Sequence, residues 1–216
     1  HYRLLDMLIS AGRSPKIVYN SNGSKLTHKG KHIEDYWKKI KNKIEFRVSL
    51  DQVGPKAEYT RHGQSWDTIE NNLFYLRDNV ENVRIYPSPT ISVLNILDLE
   101  YIIPYFLEKK LSYDGYINLS NICMSPDFYS IRILPENLKK QAKTSLLRLL
   151  SSLEQSKMSK EPLFYYQEHI PKIIEYMYEE DQSYLIDDFK KEMQKLDKIR
   201  GENFLEVFPE LGELYE

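Results

Sequence analysis

The stretch that decides the fold is Lys16-Ile17-Val18-Tyr19-Asn20-Ser21-Asn22-Gly23, together with its counterpart Ile44-Glu45-Phe46-Arg47-Val48-Ser49-Leu50-Asp51. Each begins as a short β-rich run and ends in hydroxyl, amide or carboxylate side chains. A segment of helical spacing separates them, so the two strands are expected to lie parallel, joined by a right-handed crossover. Loops at the carboxyl ends of parallel strands converge over a rigid sheet, which is where such folds bind ligands. Ser49 and Asp51 are two apart and leave a strand on one face, where a hydroxyl and a carboxylate suit ribose hydroxyls or an ammonium group. Gly23 lets backbone approach a ligand closely. The spacing leaves a plainer alternative open, since Asn22-Gly23 is a common turn dipeptide and Ser49 and Asp51 can simply terminate a strand.

Outward from these strands the alternation continues. Leu4, Leu5 and Leu8 recur at helical spacing over residues 1–11, and Gly12 stops the run. Thr27 is placed to cap a second helix carrying Ile33, Tyr36, Trp37 and Ile40 on one stripe. Ser65 precedes a third, with Trp66, Ile69, Leu73 and Leu76. Residues 83–91 read as an extended segment made irregular by Pro87 and Pro89. Asn95 is placed to cap a fourth helix reaching about residue 110, and 115–119 is a candidate fourth strand. From Leu134-Pro135 onward the pattern is helices only, first with Leu138, Ala142, Leu146, Leu149 and Leu150 on one face, last over 188–200. The expected fold class is therefore α/β: a partial parallel (β/α) barrel over 1–133 with a C-terminal helical extension over 134–216 that covers its open side.

Composition sets the class of partner. The 216 residues allow one large domain or a domain with a helical appendage, and no apolar run approaches the roughly 18 to 20 residues of a membrane span. No membrane partner is expected. Residue 1 lies inside a helical pattern with no basic and apolar leader, which offers no secretory signal and leaves a missing start open. Cys123 is the single cysteine, so no internal disulfide exists and a reducing, cytoplasmic setting is expected. Residues 1–152 hold 22 Lys and Arg against 16 Asp and Glu, while 153–216 hold 8 against 16. The two parts face different partners, or each other.

Other constellations read as structure. His28 and His32 are four apart, but no third ligand accompanies them and lysines surround them, so a solvated helix end is expected rather than a zinc site. Lys38-Lys39-Ile40-Lys41-Asn42-Lys43 has aromatic neighbours Trp37 and Phe46, yet these sit on the apolar stripe and Glu34 and Asp35 interrupt the charge. A lysine-coated outer helix is favoured over a nucleic-acid surface. Tyr165, Tyr166, Tyr176, Tyr178 and Tyr184 are expected to pack the C-terminal helices. Cys123, between Ile122 and Met124, reads as a small buried hydrophobe. No nucleophile has an evident base.

Several blocks together carry a resemblance: 19–24 (Tyr-Asn-Ser-Asn-Gly-Ser), 48–54 (Val-Ser-Leu-Asp-Gln-Val-Gly), 58–63 (Glu-Tyr-Thr-Arg-His-Gly), Trp66, 90–95 (Thr-Ile-Ser-Val-Leu-Asn), and 196–200 with Pro209-Glu210-Leu211. In this order the chain resembles the later part of a radical S-adenosylmethionine enzyme, most closely the twitch-domain proteins of that superfamily common in phage and marine metagenomic sequences. The resemblance implies a cytoplasmic parent of a kind that phage encode. In that parent a [4Fe–4S] cluster reduces S-adenosylmethionine to a 5′-deoxyadenosyl radical, which abstracts hydrogen from a substrate that the residues do not reveal. It implies that Ser21, Asn22 and Gly23 lie beside the cofactor, that Ser49 and Asp51 contact its ribose or methionine part, and that Asn95 and Arg61 complete the site. Gln52 departs from the glycine of many relatives. The cluster needs three thiolates in a CxxxCxxC loop, and a Gly-Gly-Glu-Pro segment should grip the methionine amino group; neither is in this chain. The expectation is a fragment, inactive alone, whose first partner is the missing N-terminal half. The alternatives are a non-catalytic α/β binding or interaction module derived from the same scaffold, and an unrelated α/β enzyme that uses Asp51 and Arg61 without iron.

Overall fold

A computed structural model describes residues 1–215. Helix α1 (Tyr2–Ser10) leads into strand β1 (Ile17–Ser21), followed by a hairpin of β2 (Thr27–His28) and β3 (Lys31–His32), then α2 (Ile33–Trp37) and β4 (Ile44–Val48). Helices α3 (Gly54–Thr60) and α4 (Trp66–Asn79) precede β5 (Val83–Pro87), and α5 (Leu99–Glu108) closes the α/β part. Four helices follow: α6 (Glu136–Gln155), α7 (Lys160–Glu179), α8 (Ile186–Arg200) and α9 (Phe204–Val207). Ser65 caps α4 as the sequence indicates, its side chain accepting from the Thr68 amide.

Two expected helix starts lie elsewhere. Thr27 does not open a helix, because Lys29 and Gly30 both take positive φ, 48° and 74°, and make the tight turn of the β2–β3 hairpin. His28 and His32 are exposed on opposite strands of that hairpin, and His32 stands at the N-terminal end of α2 without a side-chain cap bond. Helix α2 then ends at Trp37, so the lysines after it coat a turn. Asn95 does not cap α5; Asp98 holds that place, without a side-chain bond to the helix.

The sheet is parallel, in the order β1-β4-β5, with Ile17, Ile44 and Val83 in register. Along β4, Ile44, Phe46 and Val48 are buried while Glu45 and Arg47 are not, and β5 repeats the alternation. The buried face meets helices: the Trp37 ring lies 5.0 Å from Tyr19 and 5.4 Å from Phe46. The strands run in chain order, and the opposite face carries Glu45, Arg47 and Tyr86. Parallel sheets are normally covered on both faces and apolar throughout, so this polar face is unusual.

The expected fourth strand is an extended segment without a ladder. Ile117 and Leu119 are buried and Asn118 is not, which continues the alternation, and the Asn118 amide donates to the Pro87 carbonyl at 2.9 Å. Pro87 and Pro89 have no N–H to return, so further pairing is limited to one isolated bridge, Ile91 to Ile122. The result is a mixed α/β chain with a small three-stranded sheet, short of the partial barrel expected.

Helix α7 terminates this side of the sheet. The Tyr165 hydroxyl accepts from the Leu119 amide at 2.8 Å, and the fully buried Tyr166 hydroxyl donates to the Gly115 carbonyl at 2.8 Å. Two consecutive tyrosines thus satisfy backbone groups that a further strand would have paired. Tyr166→Phe leaves the Gly115 carbonyl without its partner and is expected to cost about 1–3 kcal/mol in urea unfolding; an unchanged midpoint would show that water reaches this carbonyl. Tyr184, by contrast, is 71% exposed and packs little.

The charge imbalance resolves internally, at least in part. Lys56 meets Glu210 at 2.6 Å, Arg132 meets Glu180 at 3.2 Å and His62 meets Glu202 at 2.8 Å. The acidic C-terminal part therefore faces the basic part. Tyr59 donates to Asp197 at 2.8 Å, and Arg200 donates to the Tyr59 carbonyl at 3.1 Å, which ties α8 to α3.

Candidate functional site

The strand tips do meet. The Ser49 amide donates to the Ser21 carbonyl at 2.8 Å, and the Ser88 amide to the Val48 carbonyl at 2.8 Å, so Ser21, Ser49 and Ser88 stand side by side at the carboxyl ends. The turn after β1 is held locally: the Ser21 hydroxyl accepts from the Gly23 amide at 3.1 Å, and the exposed Asn22 accepts from the Ser24 amide and hydroxyl at 3.1 and 2.8 Å. Gly23 has φ +72°, its carbonyl accepts from Asn72 at 2.9 Å, and a Cβ there would sit 3.2 Å from Val48 Cγ1. Its glycine character serves turn geometry and close packing on α4 and the sheet.

Asp51, Arg61 and Asn95 are brought together and joined to one another. Asp51 Oδ2 accepts from Arg61 at 2.8 Å (Nε) and 2.7 Å (Nη2), while Oδ1 accepts from the Thr90 amide at 2.8 Å. Asn95 is 1% exposed; its Nδ2 donates to the Asp51 carbonyl at 3.0 Å and the Thr90 carbonyl at 2.9 Å, and its Oδ1 accepts from the Ser92 amide at 2.9 Å. Both polar atoms of the Asn95 side chain are engaged: the bond to the Asp51 carbonyl links the loop after β4 to the loop after β5, and those to Thr90 and Ser92 hold the second loop's own shape. These residues build a clamp between loops, and their hydrogen bonds go to one another and to backbone.

A second network lies beneath it. Gln52, 1% exposed, donates to the Leu94 carbonyl at 2.8 Å and to Asp98 Oδ2 at 2.5 Å. Lys56 reaches the same Asp98 oxygen at 2.7 Å. Burial opposes the charge on Lys56, but Asp98 and Glu210 outweigh it and raise its pKa. This explains why Asp98 does not cap α5 through its side chain.

The cavities lie elsewhere. A groove of about 480 Å³ opens on the polar sheet face, lined by Arg47, Tyr86, Ser88, Tyr116, Asn118 and Tyr165 among others. Its volume falls within the range of small-ligand sites, and its lining combines rings with a few polar groups. Asn118 donates to the Ser88 hydroxyl at 2.9 Å, and Arg47 stands half-exposed beside Glu45 at 3.3 Å. Lys16, hydrogen-bonded to Glu45, holds that carboxyl below its ordinary pKa, and burial raises those of Tyr86 and Tyr165, so the rings stay neutral while the carboxylate stays charged. None of the seven residues expected from the sequence lines this groove. A larger groove of about 870 Å³ lies beside β1, and Ser21 is the one of the seven that lines it.

The polar face was legible in principle. Ile-Glu-Phe-Arg-Val and Val-Arg-Ile-Tyr-Pro alternate strictly, a pattern that a parallel strand buried on both faces does not show. Arg47 and Tyr86 follow from it, while Tyr165, on a distant helix, does not.

The donor set does not fit an iron–sulfur cluster. Cys123 stands alone and half-buried, with burial raising its thiol pKa, and no group of three His, Cys, Asp or Glu converges among the described residues. Among them, too, no helix is long and apolar enough to cross a membrane. No family model, curated protein or solved structure matches the chain.

Proposed function

We propose that this chain is the rear wall of a radical S-adenosylmethionine-type barrel, and that its open sheet face helps to hold the adenosyl part of that cofactor. One observation carries the reading: parallel strands in chain order with one face packed on α2 and α4 and a polar, ring-lined groove on the other. Doubly wound sheets reverse their strand order and cover both faces, whereas a barrel wall keeps one face for its interior. Tyr86 and Tyr116 offer flat surfaces for a purine, Ser88 and Asn118 offer partners for ribose hydroxyls, and Arg47 offers a cation for the methionine carboxylate. In the parent reaction the cofactor supplies a 5′-deoxyadenosyl radical. This chain contributes binding and orientation only, with the cluster thiolates and the substrate outside it.

Titration calorimetry with S-adenosylmethionine tests the reading. A saturable one-to-one isotherm is expected, weakened about tenfold by Arg47→Ala, which corresponds to about 1.4 kcal/mol. No saturable heat, or an isotherm indifferent to Arg47→Ala, overturns it in favour of a second reading, a non-catalytic interaction module. That second reading is favoured by Asp51, Arg61 and Asn95, whose hydrogen bonds are internal.

A further inference from the structure

The two sides of the sheet are treated differently. Beyond β5, the tyrosines of α7 satisfy the outermost backbone. At β1 no equivalent contact exists among the described residues. The Ser21 carbonyl accepts from Ser49, which turns the N–H and C=O groups of Ile17, Tyr19 and Ser21 toward β4 and those of Val18 and Asn20 outward. Val18 is 43% exposed, Asn20 is exposed, and no backbone hydrogen bond involves either outward group among the described residues. Natural edges are often blunted by proline, and β1 contains none; its outward groups meet no backbone partner among the described residues.

The surface beside this edge is selective. The groove of about 870 Å³ is walled by β1, the start of α1 and the β2–β3 hairpin. Its lining includes Arg3, Lys25, Lys29 and Lys31 and no carboxylate. Only Lys31 has an acidic partner among the described residues, Asp6 at 3.3 Å. Unpaired main-chain groups call for a strand, and uncompensated cations call for carboxylates.

We propose that the outward edge of β1 is a docking site for an extended, carboxylate-bearing polypeptide segment, which pairs with the main chain of Val18 and Asn20 and sets acidic side chains against Arg3, Lys25 and Lys29. Five residues of β1 span about 17 Å, so the segment needs five or six residues in contact. The inference stands apart from cofactor binding, which concerns the opposite groove.

The test uses the full chain and a fluorescein-labelled octapeptide of alternating glutamate and valine, with the lysine–valine octapeptide as its counterpart. Saturable anisotropy is expected for the acidic peptide, together with slowed amide exchange at Val18 and Asn20. The affinity should fall at least tenfold in the Lys25→Glu/Lys29→Glu variant. Val18→Pro, which removes an outward N–H and leaves the inward ladder intact, should do the same without lowering the melting temperature. Equal binding of the lysine peptide, protection confined to other residues, or full affinity in Val18→Pro overturns the proposal. So does a dimer that protects Val18 and Asn20 without peptide, since the occupant is then a second copy. Calorimetry with S-adenosylmethionine on the same samples reports the opposite groove separately, so the two readings can fail independently.

Discussion

Asn95→Ala lowers the unfolding free energy by about 3–5 kcal/mol, read from urea denaturation followed by the fluorescence of the buried Trp37 and Trp66. The substitution leaves the Asp51 carbonyl, the Thr90 carbonyl and the Ser92 amide without their partners in a site that is 1% exposed. Each stranded buried group costs about 1–3 kcal/mol, and the three sit on the loops after β4 and β5, which the Thr90–Asp51 and Gln52–Leu94 hydrogen bonds also join. Asn95→Asp separates the contributions: it keeps an acceptor for the Ser92 amide but turns a carboxylate toward two carbonyl oxygens, so it should be at least as harmful at neutral pH and partly relieved on acidification. A loss below about 1 kcal/mol for Asn95→Ala would mean that water replaces the amide, and the clamp would not hold the strand tips.

Raising the pH above 10 should unfold the chain cooperatively rather than titrate its tyrosines one by one. Burial pushes both Tyr129 and Tyr215 up to about 12, and it raises Tyr59 too, where Asp197 adds to the effect. A group whose folded pKa lies above its unfolded value adds stability that is complete below the unfolded pKa, about 10 for tyrosine, and is lost as pH rises toward the folded one. For Tyr129 and Tyr215 the folded value lies above the unfolded one, so their ionisation withdraws stability progressively between about pH 10 and 12. The measurement is tyrosinate absorbance alongside far-ultraviolet circular dichroism. Coincident, steep transitions between pH 10 and 12 are expected. A gradual rise in absorbance with the dichroism unchanged would mean that these hydroxyls ionise in the folded chain.

The local patterns were readable because each depends on neighbours in sequence. The stripe of Trp66, Ile69, Leu73 and Leu76 declares α4, and Ser65 declares its start. The failures share a cause. Thr27 looks like a cap until Lys29 and Gly30 turn the chain, and Asn95 looks like a cap although partners as distant as Asp51 have claimed its amide. Gln52 reads as an irregularity in a loop, yet it is a buried anchor whose partners, Leu94 and Asp98, lie far along the chain. Polar residues do stand at the strand tips, but composition does not say whether a hydroxyl or carboxylate faces a ligand or another loop.

The sequence by itself determined a mixed α/β part with parallel strands and the change to an all-helical region after Leu134, because these follow from periodicities of two and 3.6 residues and from the helical segments between strands. Only the tertiary structure decided which side chains are already engaged: that Asp51, Arg61 and Asn95 bind loops to each other, that Tyr165 and Tyr166 close one side of the sheet, and that β1 leaves the other side unpaired. The physical reason is that a hydrogen bond's partner is fixed by distance in space. The free energy of leaving a buried polar group unmet selects that partner from anywhere along the chain.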